Sequence, residues 1–287
     1  MGLSLGTAQW GARYGVSNAV GFLDDQTIAA IADTALALGI RSVDTARASN
    51  PAQGYGAAQT RLKPWARDFA VTTKIIAGPA ADLPIRGQLE ASLLELGLDS
   101  VASVLVHDWA SLDRAHAAAA ARELGALKEM GLMARIGVSA YDADDLIRAH
   151  QHFTSLDVVQ VPVSVLDQRL LALDLIGDLH FAGTLVQVRS VFLQGLLLAP
   201  DLDSPLARHA DVLRFHQWCA ALGLSPLEAA LAFISQVPWA DEVVVGVTSA
   251  PELAQIGQAW SQSSPRQHWG ELASDDTSLI DPRLWNG

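Results

Sequence analysis

Val101-Ala-Ser-Val-Leu-Val-His107 is a short apolar run that ends on a histidine, and it sets the pattern for the chain. Two other apolar runs also end on a titratable residue: Arg41-Ser-Val-Asp-Thr45, near Asp44, and Ala70-Val-Thr-Thr-Lys74. Apolar runs without alternation are typical of strands that are buried on both faces of a parallel sheet. In a closed parallel barrel, the carboxyl ends of the strands meet at one mouth, where such barrels carry out chemistry. We therefore expect the three polar ends to lie together.

Runs of this type recur along the chain, with helical patterns between them. The eight predicted strands lie at Leu3–Thr7 and near 40–44, 70–74, 102–107, 134–138, 157–161, 184–190 and 242–246. Predicted helices include one from Asp24 to Gly39 and others at 84–96, 117–130 and 142–150.

Eight strand–helix units in 287 residues, without a linker rich in Pro, Gly or Ser, predict an α/β fold. We expect a single (β/α)8 TIM barrel over residues 1–287. A doubly wound sheet is the main alternative. The polar stretch from about Ser261 is expected to pack over the barrel as a tail.

Composition narrows the class of partner. The net charge of −12 argues against a protein that binds nucleic acids or anionic membranes in general. No apolar run is long enough for a membrane helix, and the first residues lack the pattern of a signal peptide. The single cysteine, Cys219, allows no internal disulfide. These features predict a cytoplasmic protein that acts on a small molecule.

A fourth polar residue, Tyr55 in Gly54-Tyr-Gly56, joins the strand-end set. A tyrosine phenol has an ordinary pKa of about 10, and a nearby ammonium favours its phenolate. A carboxylate keeps such an ammonium charged, and a histidine can hydrogen-bond a substrate oxygen. Asp, Tyr, Lys and His together suit protonation of an oxygen during carbonyl reduction. None of them can supply a hydride, so a redox cofactor is required.

The same residues resemble the aldo-keto reductase family over nearly the whole chain. Val43-Asp-Thr-Ala46 followed by Tyr55-Gly-Ala-Ala-Gln-Thr-Arg-Leu62 is similar to the family signature, and Leu5-Gly-Thr-Ala-Gln-Trp-Gly11 resembles its opening strand. Later segments resemble strand ends that face the cofactor: Gly137-Val-Ser139, Asp157-Val-Val-Gln160, Arg189-Ser-Val-Phe-Leu-Gln-Gly195 and Val245-Gly-Val-Thr-Ser249. The resemblance implies a barrel that reduces aldehydes or ketones with NADP(H) or NAD(H).

The resemblance also implies a role for each matching residue. Tyr55 would donate the proton, with Lys74 lowering its pKa. Asp44 would pair with Lys74, and His107 would orient the carbonyl group. Arg189 stands where the family often has a ring that stacks on nicotinamide, and a guanidinium plane can also stack. The other residues implied to bind the cofactor are Ser139, Gln160, Ser190, Phe192, Gln194, Gly195, Gly246, Thr248, Ser249 and Gln255.

Three features depart from the family pattern. Ten residues separate Asp44 from Tyr55, where the family usually has two, so Arg47-Ala-Ser-Asn-Pro-Ala52 is interpreted as an inserted loop. The glutamate of the signature is replaced by Gln59. The segment 247–252 has no cation for the 2′-phosphate of NADPH, and Glu252 would repel a phosphate. The last departure gives NAD(H) more weight.

Two other functions stay open from the sequence. The inserted loop is compatible with a barrel that binds a nicotinamide nucleotide with little or no catalysis. Lys74 could instead form a Schiff base in a barrel lyase.

Other motifs have less specific interpretations. Trp10 and Trp109 follow strand ends, where they either wall an apolar substrate pocket or cap the barrel. Gly54-Tyr-Gly-Ala-Ala-Gln59 lacks the third glycine of a dinucleotide fingerprint. His150 and His152 have no Cys or carboxylate partner at useful spacing, so no metal site is predicted.

Overall fold

Eight parallel strands close into a barrel in which each strand pairs with the next and the last pairs with the first. The computed structural model describes residues 1–47, 55–199, 203–262 and 267–285. The strands are Gly2–Gly6 (β1), Ser42–Asp44 (β2), Ala70–Ile75 (β3), Val101–Val106 (β4), Met133–Ser139 (β5), Val158–Pro162 (β6), Leu185–Arg189 (β7) and Glu242–Gly246 (β8). The predicted (β/α)8 barrel is confirmed, and the open doubly wound sheet is wrong.

Helices follow the strands along the chain. They are Ala8–Gly11 (α1), Asp25–Ala37 (α2), Ala58–Leu62 (α3), Ile85–Leu96 (α4), Arg114–Glu129 (α5), Ala143–His152 (α6), Asp174–Phe181 (α7), Ala210–Leu222 (α8), Pro226–Ile234 (α9), Ala250–Ser261 (α10) and Thr277–Ile280 (α11). Among the described residues, no single helix is long and apolar enough to cross a membrane. The pair α8 and α9 meets the length and composition test only together, with a bend of 97° between them.

Local signals explain where the helices begin and end. The side chains of Asp24, Asp113 and Asp142 accept hydrogen bonds from backbone N–H groups in the first turns of α2, α5 and α6. The cap at Asp113 starts α5 three residues earlier than the apolar pattern predicts. Gly97 ends α4 with a left-handed φ of 68°, a conformation that glycine adopts without strain.

Strand boundaries differ slightly from the predicted ones for backbone reasons. The Ile40 N–H still donates to Ala35 O at the end of α2, so β2 starts at Ser42. Ser190 has a left-handed φ of 61°, which ends β7 at Arg189. These limits leave Asp44 at the end of β2 and His107 directly after β4.

The C-terminal segment packs against the barrel as predicted. Trp269 contacts Trp218, with ring centroids 4.9 Å apart, and Phe233, at 5.8 Å. The Ser274 N–H donates to Leu166 O in the loop after β6. This packing carries the tail to the mouth of the barrel, where Arg283 joins the wall of a cavity.

Candidate active site

Asp44 and Lys74 form a buried ion pair at the carboxyl ends of β2 and β3. Lys74 Nζ lies 2.6 Å from both carboxylate oxygens of Asp44, and the two side chains are 2% (Lys74) and 4% (Asp44) exposed. Lys74 also donates to Thr45 O at 3.3 Å. Buried charges are costly unless they are paired and hydrogen-bonded, and this pair meets both conditions. Burial lowers the pKa of Lys74, Asp44 opposes that effect, and Arg189 lowers the pKa further.

The Tyr55 hydroxyl lies against this ion pair, 3.1 Å from Asp44 Oδ2 and 3.1 Å from Lys74 Nζ. Residues 48–54, which include most of the proposed insertion, lie outside the described residues. Burial raises the pKa of Tyr55 well above its ordinary value, Asp44 raises it further, and Arg189 opposes the rise. The net direction is opposite to the lowering expected from Lys74. The phenol therefore keeps its proton at neutral pH.

Two glycines hold the Tyr55 segment in place. A Cβ on Gly11 would lie 1.8 Å from Tyr55 O, and a Cβ on Gly56 would lie 2.0 Å from Gly11 O. Gly56 also has a left-handed φ of 44°. The two backbones can therefore approach only because neither position has a side chain. This close approach ties the segment before α3 to the end of α1.

His107 lies beside Tyr55, with the two rings in an edge-to-face arrangement at 6.2 Å and 77°. The backbone N–H of His107 donates to Ile75 O, which fixes this part of the chain next to β3. Burial lowers the pKa of His107 to about 3, with smaller contributions from the charges of Lys74 and Arg189. The imidazole is thus neutral at physiological pH and can donate one N–H to a bound oxygen.

A cavity of about 1150 Å³ contains all four of these residues in its wall and extends along the carboxyl ends of the strands toward α9 and α10. Its size suits a ligand larger than a typical drug-sized molecule. Most residues predicted to bind the cofactor line it, namely Ser139, Gln160, Arg189, Ser190, Phe192, Gln194, Gly195, Gly246, Thr248 and Gln255.

Three predicted site residues do not line this cavity. Ser249 instead caps α10, where its hydroxyl accepts from the Glu252 N–H. Trp10 and Trp109 are fully buried, and Trp109 Nε1 donates to Asp145 O at 2.9 Å. Neither indole contributes to the wall of this cavity, because both pack into the core. Their alternative interpretation, packing at the end of the barrel, fits the structure.

Glutamates close the two helix N-termini at the far end of the cavity. Glu252 accepts from the Thr248 N–H at 2.7 Å and from the Thr248 hydroxyl at 2.8 Å, at the start of α10. Glu228 accepts from the Ser225 N–H at 2.8 Å, at the start of α9. A helix N-terminus is a natural site for an anion, and here each one already carries a carboxylate of its own helix.

Three cavity residues were not predicted from the sequence, namely Tyr14, Tyr141 and Arg283. The predicted Arg189 and the unpredicted Arg283 both lie over the Tyr141 ring, with Cζ at 4.2 and 3.6 Å from the ring centroid. Arg283 pairs with Asp281, but no carboxylate in the described residues lies within 4.0 Å of the Arg189 guanidinium. Tyr14 also lines the cavity. The sequence shows that tyrosine is rare in this chain, with only three residues. In the structure all three line this cavity.

A sequence model of the aldo/keto reductase family matches residues 2–274. The chain belongs to the aldo/keto reductase family. This is the family that the sequence resembles, and its name agrees with the nicotinamide-dependent oxidoreductase that the sequence predicts.

Two curated proteins match part of the chain. The NADH-specific methylglyoxal reductase of Escherichia coli (strain K12) is 35% identical over 115 residues, which cover 39% of this chain and 34% of that protein. The methylglyoxal reductase DkgA of Yersinia pestis is 35% identical over 114 residues, 40% of each chain. The chain thus matches less than half the length of either relative.

Solved structures show the same fold. A protein of Pseudomonas aeruginosa assigned as an aldo-keto reductase has a TM-score of 0.64 at 22% identity, covering 90% of this chain and 89% of that one. A second structure from the same organism has a TM-score of 0.61 at 21% identity.

The cavity wall has three features that are typical of a ligand site and compatible with a nucleotide. In the loop after β7, Ser190, Leu193 and Gln194 have left-handed φ values of 61°, 45° and 54°, a strain that clusters at ligand sites. Gln9 lines the cavity, and its buried Oε1 has no hydrogen-bond partner among the described residues. Gly246 leaves room where a Cβ would lie 2.6 Å from Gln9 atoms. Strained backbone, an unpaired acceptor and a close backbone approach are all features of a ligand cradle.

Proposed function

We propose that the protein reduces a small aldehyde or ketone with NADH, and that Tyr55 gives the proton to the carbonyl oxygen. One observation carries this proposal: the Tyr55 hydroxyl lies 3.1 Å from both Lys74 Nζ and Asp44 Oδ2 at the wall of the cavity. The nucleotide, when bound, supplies the hydride that the side chains cannot supply.

Tyr55, Lys74, His107 and Asp44 have different roles in the reduction of the carbonyl group. As the carbonyl carbon gains a hydride, its oxygen takes the proton of Tyr55, and a phenolate remains. Lys74 faces that phenolate and stabilises its charge. The neutral His107 donates an N–H to the same oxygen and so sets the angle at which the substrate lies.

Asp44 acts through Lys74. Its carboxylate favours the charged form of Lys74, whereas burial and Arg189 favour the neutral form. A neutral amine would lose most of its effect on the phenolate. Asp44 therefore keeps the cation in place during turnover.

The far end of the cavity favours NADH over NADPH. The family resemblance implies that the adenosine end lies near residues 247–252, where Glu252 already accepts two hydrogen bonds from Thr248. A 2′-phosphate there would meet a carboxylate instead of a cation. Two like unit charges about 4 Å apart repel by about 1 kcal/mol even in water. The relative from Escherichia coli is itself named NADH-specific.

The geometry gives less support to the two other functions. A barrel that only binds nucleotide has no need for a tyrosine in contact with a buried lysine, yet Tyr55 makes that contact. A Schiff-base lyase needs an accessible amine, but the Lys74 side chain is 2% exposed and bonded to both Asp44 oxygens.

The test is oxidation of NADH with a panel of small carbonyl compounds, starting with methylglyoxal, the substrate in the names of two relatives. Tyr55→Phe removes the proton donor and keeps the ring, so we expect kcat/KM to fall by about 10²–10⁴. NADH binding, followed by fluorescence, should stay close to that of the wild type. A Phe variant as active as the wild type would refute the role of Tyr55. Nucleotide binding without turnover of any carbonyl would favour a binding protein instead.

A further inference from the structure

Arg189 is a partly buried cation in the cavity wall, and among the described residues it has no carboxylate partner. Its Nη2 donates to Ala140 O at 3.0 Å, and its Nη1 lies 3.4 Å from Ser190 Oγ. A guanidinium has five N–H donors, so the other three have no acceptor within the described part of the chain. Polar groups that are removed from water need a partner, and charged groups most of all. These donors therefore point to an anionic ligand in the cavity.

The other charges at this end of the cavity are already compensated. Lys74 pairs with Asp44 at 2.6 Å, and Arg283 Nε pairs with Asp281 Oδ1 at 2.9 Å. The Asp108 carboxylate accepts two backbone N–H groups of the loop after β3, at 2.9 and 2.8 Å. An anion would have to displace a carboxylate from either of the paired cations, but it meets no such competitor at the unpaired guanidinium.

The side chain of Arg189 is directed toward the catalytic end of the cavity. It starts at the end of β7 and reaches the segment after β5, where Nη2 meets Ala140 O and Cζ lies 4.2 Å from the Tyr141 ring centroid. The strand β8, which leads to α10 at the far end, lies on the opposite side of β7. The charge of Arg189 lowers the pKa values of His107 and Lys74, so it is within electrostatic reach of both groups. An anion bound here thus lies close to the reacting carbonyl group.

Tyr141 contacts the face of the guanidinium and leaves its edge free. The N–H groups of a guanidinium lie in its plane, so contact with a ring occupies none of them. Two parallel N–H groups match the two oxygens of a carboxylate. Stacking on the nicotinamide, which the family resemblance implies for this position, also uses only the face. The edge is therefore available to a second ligand, the substrate.

We propose that the substrate is an oxo acid, in which a carboxylate within a few bonds of the carbonyl group binds the edge of the Arg189 guanidinium. This inference rests on the proposed function and specifies the class of its substrate. The hydride goes to the carbonyl carbon and the Tyr55 proton goes to the carbonyl oxygen, so the carboxylate is unchanged and the product is a hydroxy acid. A carboxylate carries one charge, as the guanidinium does, whereas a phosphate monoester carries nearly two. Methylglyoxal, by contrast, carries no charge.

The experiment measures kcat/KM with NADH for pairs of substrates that differ in charge at one group. The pairs are pyruvate with pyruvamide and meta-formylbenzoate with meta-formylbenzamide, and methylglyoxal is the neutral reference. The proteins are the wild type, Arg189→Gln and Arg189→Lys, with Arg86→Gln at an exposed arginine of α4 as the matched control. The ratio of acid to amide is compared between proteins, so the intrinsic reactivity of each carbonyl group cancels. Fluorescence gives the Kd of NADH for each protein, and thermal melting shows which variants are folded.

We expect Arg189→Gln to lower the ratio of kcat/KM for acid over amide by about ten- to hundredfold in at least one pair, the value of a hydrogen bond to a charged group. The KM of the acid should rise more than its kcat falls. Arg189→Lys keeps the charge and loses the planar fork, so its ratio should fall less. Arg86→Gln should keep the wild-type ratio. A structural role alone would lower kcat/KM for acid and amide equally.

The outcomes separate this inference from the proposed function. A ratio that falls in Arg189→Gln and stays unchanged in the control supports the inference, and Arg189→Lys provides the same comparison where the Gln variant does not fold. An unchanged ratio in every pair, with neutral carbonyl compounds still reduced, overturns the inference and leaves the reductase proposal intact. Weaker NADH binding with an unchanged ratio assigns the guanidinium to the nucleotide and also overturns it. Absence of turnover of any carbonyl compound by the wild type overturns both.

Discussion

The two ends of the cavity differ in how their charged side chains are buried and paired. At the catalytic end, Lys74 and Asp44 are almost fully buried and bond to each other and to Tyr55. At the far end, Glu252 and Glu228 accept exposed hydrogen bonds from Thr248 and Ser225, which directly precede their helices. The first end holds the residues that we propose to be catalytic, and among the described residues 247–252 at the far end there is no cation.

The difference shows which part of the site the fold constrains. A buried ion cannot lose its partner without a large cost, because the remaining charge has no water to solvate it. An exposed glutamate at a helix end can be replaced at small cost, because water takes its place. Proton chemistry is therefore tied to the stability of the barrel, and the choice of nucleotide can change almost independently of it.

The largest expected effect comes from breaking the buried pair. Asp44→Asn leaves Lys74 buried without a counter-charge, and we expect a loss of about 3–5 kcal/mol in the free energy of unfolding. Urea denaturation measures this loss. The double variant Asp44→Asn with Lys74→Met should recover part of the stability and none of the activity. A single variant as stable as the wild type would contradict the burial argument.

A smaller effect is expected from the glycine contact that positions Tyr55. In Gly11→Ala the new Cβ would lie 1.8 Å from Tyr55 O, so the Tyr55 segment must move. A displacement of about 1 Å at a reacting group can lower kcat by about 10²-fold. Gly125→Ala is the matched control, because a Cβ there meets nothing within 4 Å. Equal kcat values for the two variants would show that the contact does not position the tyrosine.

A substitution at the far end of the cavity should have a smaller effect. Glu252→Gln removes one negative charge, and we expect the preference for NADH over NADPH to fall by roughly fivefold. The ratio of kcat/KM for the two nucleotides measures the change, and the melting temperature should stay within a few degrees. An unchanged ratio would show that Glu252 does not repel the 2′-phosphate.

The smallest effect concerns pH. Burial lowers the pKa of His107 to about 3, so its neutral form persists across the physiological range, and kcat should show no histidine ionisation between about pH 5 and 8. Stability should still fall below about pH 6.5, because an unfolded histidine takes up a proton that the folded one does not. In His107→Asn the loss of stability below about pH 6.5 should be smaller, because the contribution of His107 is absent. A kcat profile with a step near pH 6.5 in the wild type alone would refute the neutral assignment.

Much of the barrel was predictable from local chemistry. Continuous apolar runs gave all eight strands to within about two residues, since both faces of each strand are buried. The starts of α2 and α6 followed from Asp24 and Asp142, whereas α5 was predicted three residues late because the cap at Asp113 was not used. Asp44, Lys74 and His107 were found because strand ends converge in such a barrel.

Other site features depended on contacts that sequence order hides. The side chains of Gln160 (β6), Gln187 (β7) and Glu242 (β8) are joined by hydrogen bonds that depend on the register of three neighbouring strands. The repeated Val-Gln-Val at 159–161 and 186–188 was a usable signal for them. Arg283 reaches the cavity only through the packing of the tail. The direction of the Tyr55 pKa could not be predicted, because it depends on how far burial outweighs the nearby cations.

The placement of the tyrosines has an optical consequence. Tyr14, Tyr55 and Tyr141 are all the tyrosines of the chain, and each lines the same cavity. The ultraviolet difference spectrum that accompanies phenol ionisation therefore contains no contribution from the rest of the protein. Burial raises the pKa of both Tyr14 and Tyr55, so their ionisation is delayed to strongly alkaline solution. The unmodified protein is its own chromophoric probe of the mouth of the barrel.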